Sequence, residues 1–361
     1  MKETWYCRLR KPCEGSEPSQ GLADRKGHEM AIAIQCILVA TVVCGLWAMA
    51  CAQDAPETFG CEANPTGDPI GGGPGYRDIK TTGDFVVKTV DELLAAFKDA
   101  KPGQVIFIPD GVEMDMTGKQ NLAMPAGVTL AGTRGLRGSL GARLFTTLRT
   151  TNPLLRASGD DTRVTGLRIE GPYAGPERIP TFAQGLSMAY DNCEVDNCEI
   201  YNWNCVGIGV GGGGTVRIHH NHIHHCQLSG YGYGVATGRA NTFIIANIFD
   251  WCRHDIASSG SPGDCYEAAW NLVLPNATSH RFDMHGGRDR GDATDIAGDW
   301  LHIHHNTFQG AHRAVVIRGV PSQGADIHHN WFAKPAKETV ISGGNTKVYR
   351  NVHGPDKKLE E

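Results

Sequence analysis

Short apolar runs, rich in β-branched residues and each broken by Asn, Gly or Asp, recur along the second half of the chain. One phrase returns as Val195-Asp-Asn197-Cys-Glu-Ile200, Ile218-His-His-Asn221-His-Ile223, Ile244-Ile-Ala-Asn247-Ile-Phe249 and Ala268-Ala-Trp-Asn271-Leu-Val273. It continues as Ile303-His-His-Asn306-Thr-Phe308, Ile327-His-His-Asn330-Trp-Phe332 and Val348-Tyr-Arg-Asn351-Val. The Asn-to-Asn spacings are 24, 26, 24, 35, 24 and 21. A period in the twenties built of short strands predicts a β-solenoid, each coil stacked in parallel on the last at about 4.8 Å. The seven Asn are expected at a bend that tolerates left-handed backbone, each amide bonded to the Asn of the coils above and below.

Upstream, the period changes. Thr89 and Glu92 make a capping box, and Leu93, Leu94 and Phe97 an apolar stripe, so a short helix is predicted, ending at Lys101-Pro-Gly103. Gln104-Val-Ile-Phe-Ile-Pro109-Asp-Gly111 and Val128-Thr-Leu-Ala-Gly132 read as strands followed by turns. The helix is placed to cover the open edge of the first coil. Helix, then Lys-Pro-Gly-Gln-Val-Ile-Phe-Ile-Pro-Asp-Gly, then Gly-Val-Thr-Leu-Ala-Gly resembles the start of right-handed parallel β-helix polysaccharide lyases of the pectate-lyase-like superfamily. The resemblance covers about residues 85–355 and implies an all-β, single-stranded right-handed parallel β-helix with an N-terminal capping helix. The Trp-Ile-Asp-His and Arg-x-Pro-x-x-Arg phrases of pectate lyases are absent, as is the Gly-His-Gly of polygalacturonases. No functional residue is therefore carried over by motif.

The domain reading is 1–52 N-terminal extension and signal peptide, 53–84 linker, 85–355 β-helix and 356–361 polar tail. Residues 30–52 are an apolar run preceded by Arg25 and Lys26 and containing the small-x-small patterns Ala48-Met-Ala50 and Ala50-Cys-Ala52. That predicts a secretory signal cleaved near 50–53; the alternatives are a single membrane anchor or, more weakly, a lipid-modified Cys51. Met30 is an alternative start. Gly71-Gly-Gly-Pro-Gly-Tyr76 lacks the Lys-Ser/Thr of a phosphate loop and reads as a flexible lead-in. A net charge of -5 without basic runs argues against a nucleic-acid surface. Of 12 Cys, no pair is spaced CxxC, so a zinc ribbon is not expected. Cys226 and Cys252 each follow a ladder Asn by five residues and should stack within disulfide reach, whereas the others read as small apolar residues.

Candidate chemistry comes from three segments aligned behind the ladder: Arg253–Gly260, Ser279–Gly286 and His312–Gly319. Strand alternation with Ile256, Phe282 and Val315 inward puts Asp255 and Arg281 in one outward row, Asp283 in the next, and Ser259, His285 and Arg318 in a third. His254, His280 and Arg313 line the approach, and Tyr231 and Tyr233 are placed to stack on sugar rings. The first reading is a uronate-polysaccharide lyase. His254, Asp255, His280, Arg281, Asp283 and His285 are its catalytic candidates; Arg313, Arg318, Tyr231, Tyr233 and Ser259 are its substrate-binding candidates. His254 or His285 would be base or acid, and Arg281 and Arg318 would hold the carboxylate. The second is an inverting hydrolase, since Asp255 and Asp283 would lie about 8 Å apart. The third is a non-catalytic carbohydrate-binding or surface β-helix. The partner in each case is an extracellular polysaccharide, the protein a secreted monomer. The paired His beside the ladder read as structural, so no metal is assigned. No cofactor is expected beyond calcium through Asp289, Asp292 and Asp295, a spacing without EF-hand order.

Overall fold

The computed structural model describes residues 57–335 and 337–359. The N-terminal extension and its apolar run lie outside them. Among the described residues no helix is long and apolar enough to cross a membrane. Three sheets of 11, 9 and 11 strands wind together as a right-handed parallel β-helix. Each strand pairs in parallel with its counterpart one coil on, as in Thr215–His219 on Asn241–Ile245 and on to Cys265–Ala269. Among the described residues only Val352–His353 and Lys358–Leu359 pair antiparallel, at the C-terminal edge. The interior is a column of stacked apolar side chains such as Ile218, Ile244, Ala268, Ile303 and Ile327, all fully buried.

The capping helix spans Val90–Asp99, closed at its start by the Thr89/Glu92 box and burying Leu93, Ala96 and Phe97. The Asn ladder is present but shifted at its first rung. Asn221, Asn247, Asn271, Asn306, Asn330 and Asn351 are joined Nδ2 to Oδ1 at 2.9–3.1 Å. Cys198, not Asn197, stands in register with Asn221 and donates its N–H to it. The left-handed residue is the one before each rung: His220, Ala246, Trp270, His305, His329 and Arg350, with φ from 51 to 54° or 56°. Asn197 occupies that left-handed position in its own coil, with φ 51°.

Residues 57–84 are a strap, not a free linker. Gly60 donates its N–H to the His329 carbonyl, Gly71 to Ala246, and Gly73 to Asn197 Oδ1. Tyr76 then bonds Asp196, and Asp78 pairs with Arg163 at 2.9 Å. The strap thus runs from the last coils back towards the first. The glycines permit its close approach: a Cβ on Gly72 (φ 66°) would stand 2.3 Å from the His220 carbonyl oxygen. Cys226 and Cys252 come together on neighbouring coils as expected, but as free thiols, like all seven cysteines among the described residues.

Candidate functional site

The site lies on the nine-stranded sheet. Its outward row runs in register through Ser187, Gly209, Ala236, Ala257, Asp283 and Val316. The small residues leave a shallow groove whose floor includes Ser187, Gly209 and Ala236. The same row continues from Ala236 through Ala257 to Asp283, two coils on.

Asp283 is the centre of a charged cluster. Its side chain is fully buried, yet it meets three others. His280 Nε2 lies 3.0 Å from Oδ1, and His285 Nε2 3.0 Å from Oδ2. Arg318 grips both oxygens, with Nε at 3.0 Å from Oδ1 and Nη2 on Oδ2. Its Nη1 reaches Asp289 at 3.2 Å, from the short helix Gly287–Arg290. Burial alone would raise the Asp283 carboxyl; the contacts with His280, His285 and Arg318 outweigh it and hold the group far below the usual carboxylate range. Asp283 is thus a permanent anion that orients imidazoles.

His254 lies behind His280, ring centroids 4.0 Å apart, and Tyr233 stacks on its other side at 5.8 Å. Burial lowers His254 to about 3, and burial also raises the Tyr233 phenol. So the structure gathers His254, His280, Asp283, His285, Arg318 and Tyr233, all legible in the sequence. It adds Asp289 and Arg253. The Arg253 guanidinium lies near Tyr233 and His254 and makes no ion pair or side-chain hydrogen bond among the described residues. Its position at the mouth of a site strand, beside a site His, was the available signal.

Asp255 and Arg281 do not join this face. The strand ladder skips one position in each coil: Tyr233 pairs with His254 and Val235 with Ile256, but Gly234 and Asp255 are passed over. A Cβ on Gly234 here would meet Ile223 and Cys252 Sγ at 3.2 and 3.3 Å, so the skipped position points inward. Strict alternation fails at this kink, and Asp255 and Arg281 face the core at 0 and 1 % exposure. Their nearest approach is 3.9 Å, and Arg281 donates Nη2 to the Pro275 carbonyl. Burial raises Asp255 to about 7 against the opposing pull of Arg281. An inverting pair of Asp255 and Asp283 is therefore excluded: neither carboxylate is exposed, and Asp283 is committed to its cations.

Three substrate-binding assignments also change. Ser259 is drawn into a turn, donating to Asp264 Oδ2 at 3.0 Å. Arg313 pairs with Glu338 at 2.9 Å on the surface. Arg318 serves Asp283 rather than standing free. Tyr231 packs edge-on to Phe182 at 4.7 Å, near the groove. The calcium assignment fails because the three Asp do not converge. Asp289 pairs with Arg318, Asp292 with Arg290 and Asp295 with Arg288.

The histidines are expected to make the fold acid-labile. Burial is the largest cause that lowers His254 to about 3, and His220, His222 and His328 to about 4, from 6.5. Between pH 6.5 and about 4 the unfolded chain binds these protons and the folded chain does not, so stability falls as pH falls. Asp255, protonated when folded up to about 7, acts the opposite way in that window, because the unfolded carboxyl has released its proton. His225 and His312 are lowered by burial as well and Asp264 is raised by it, so six histidines against two carboxyls leave a net loss on acidification. Each group contributes at most about 1.4 kcal/mol per pH unit, less where solvent screens the partly exposed His222 and His328. The urea midpoint should drop clearly from pH 6.5 to 4.5; a flat profile would contradict the buried neutral histidines.

No family model and no curated protein matches the chain. Among solved structures it is similar to an alginate lyase from Paenibacillus sp. str. FPU-7, at 15 % identity over 73 % of this chain and 99 % of that one, TM-score 0.41. It is also similar to the Dettilon tailspike protein gp208, at 11 % identity over 71 % of this chain and 62 % of that one, TM-score 0.41.

Proposed function

We propose that this chain is a secreted polysaccharide lyase that cleaves a uronate-containing polysaccharide by β-elimination. One observation carries the reading: a buried, permanently ionised Asp283 holds a partly exposed His285 beside a groove, with Tyr233 and Arg253 close by. Secretion is supported by the apolar run at 30–52 and its small-x-small ends.

Elimination needs a base for the proton α to the carboxylate, a cation against that carboxylate, and an acid for the leaving oxygen. His285 faces Asp283 through Nε2, which leaves Nδ1 to take the sugar C5 proton. The C5–H electron pair becomes the C4–C5 double bond as the C4–O bond breaks. Tyr233, kept protonated by burial, supplies the proton to the departing oxygen. Arg253 faces the carboxylate, the task first assigned to Arg281 and Arg318. Tyr231 and Phe182 offer aromatic faces to a neighbouring sugar.

The test is ultraviolet absorbance of the unsaturated product on a panel of uronate polysaccharides. The native protein should give a rise, and His285→Ala should reduce it by about 10²-fold or more with the fold intact. New reducing ends without absorbance would mean hydrolysis and would overturn the proposal. Binding without either product would place the chain among non-catalytic β-helices.

A further inference from the structure

His254 presents a chemical puzzle that the elimination does not use. Its Nδ1 lies 2.6 Å from the His280 carbonyl oxygen, which only accepts, so Nδ1 carries the proton and Nε2 keeps a lone pair. That Nε2 is buried with no hydrogen-bond partner among the described residues, and the side chain is fully inaccessible. It faces Asp283 Oδ2 at 3.9 Å, a lone pair against a carboxylate with no proton between them. His280 Nε2 is also buried and outside hydrogen-bonding geometry, although 3.0 Å from Asp283 Oδ1. The three donor atoms lie within 4.8 Å of one another.

We propose that His254 Nε2, His280 Nε2 and Asp283 form a three-ligand site for a divalent transition cation of the zinc type. Two imidazole nitrogens select against calcium and magnesium, which take oxygen ligands. Bonds of about 2.0–2.2 Å bring donor atoms to within about 4 Å of one another, so three atoms within 4.8 Å need only a small closure around the ion. The bond from His254 Nδ1 to a backbone carbonyl is the support that metal-bound histidines receive, and it fixes the required tautomer. Arg318 takes one lone pair on each Asp283 oxygen and His285 the second on Oδ2, so Oδ1 keeps one for the cation. Three protein ligands leave the fourth position open to water or to a ligand oxygen.

Two other clusters have the residue types but not the free atoms. Glu199 with His222 and His224 is tied to Arg168 and His224. In Glu194, Asp196 and His219, Asp196 is taken by Arg163, Tyr76 and Thr165. The proposal stands apart from the lyase reading, since a cation can bind whether or not the protein eliminates.

Calorimetric titration with zinc chloride of full-length protein stripped by chelator tests it, without polysaccharide. One zinc per chain should bind and raise the apparent Tm. His280→Ala and His254→Gln should each weaken binding by about 10²-fold or more, while His222→Ala keeps it. His280 is partly exposed, so its variant decides the matter where the buried His254 change fails to fold. Absence of saturable binding, binding kept by His280→Ala, or binding lost in His222→Ala would overturn the site.

Discussion

Asp283→Asn is expected to lower turnover by about 10³–10⁴-fold while the protein still binds its polysaccharide. Asparagine keeps the shape and loses the charge. An amide can no longer fix the tautomer of His285 or stabilise its protonated form, which is the loss seen when the orienting carboxylate of a catalytic triad is neutralised. The same change leaves Arg318, His280 and His285 around a neutral group. Removing one partner of a buried pair costs about 3–5 kcal/mol, and the lower end applies here because Arg318 is one-third exposed and can turn to water. The two effects separate in measurement. Saturating-substrate turnover reads the first, and the urea midpoint reads the second. Turnover within a few-fold of the native value would remove Asp283 from the mechanism.

The largest stability loss is expected from Asn271→Ala. Asn271 Oδ1 accepts from both the backbone N–H and Nδ2 of Asn247, while its own Nδ2 serves the Ile244 carbonyl and Asn306 Oδ1. Alanine strands polar groups in a position that is fully buried. Each unmade buried bond costs about 1–3 kcal/mol, so about 3–5 kcal/mol is expected after partial relaxation. That is a large part of the 5–15 kcal/mol by which a domain is typically stable. Asn197→Ala is the contrast. Asn197 accepts from the strap's Gly73 N–H and from Arg134 Nη1 and donates to the Arg134 carbonyl, but bonds no further Asn, so it should cost clearly less. Equal losses at both positions, read from urea midpoints, would mean that the ladder is not a cooperative array.

The fold was legible because a coil has a length, and a length leaves a period. The spacing of the buried Asn carried that information even though Asn197 stands one residue out of register with the rest. Part of the site was legible for the same reason: His285, Arg318 and Asp283 fall on outward positions that simple alternation locates. Asp255 and Arg281 were misplaced because alternation presumes an unbroken strand. The kink sits where earlier coils carry Gly185, Gly207 and Gly234, a row of glycines that marks the place in hindsight. The strap was misread because glycine serves mobility and close approach alike. Only the His220 carbonyl facing Gly72, a contact across 148 positions of sequence, tells the two apart.

That strap alters how the molecule must come into being. A stack of coils can in principle be completed rung by rung as a ribosome delivers it, each new turn finding its template already in place. Here Gly60 and Cys61, made near the beginning, find their partners in His329 and Thr307, made near the end. Gly60 and Cys61 must therefore wait, unpaired, until the last coils have been made. A chain released short of its final coils would carry this end of the strap with nothing to hold, and would expose it to the first protease it met.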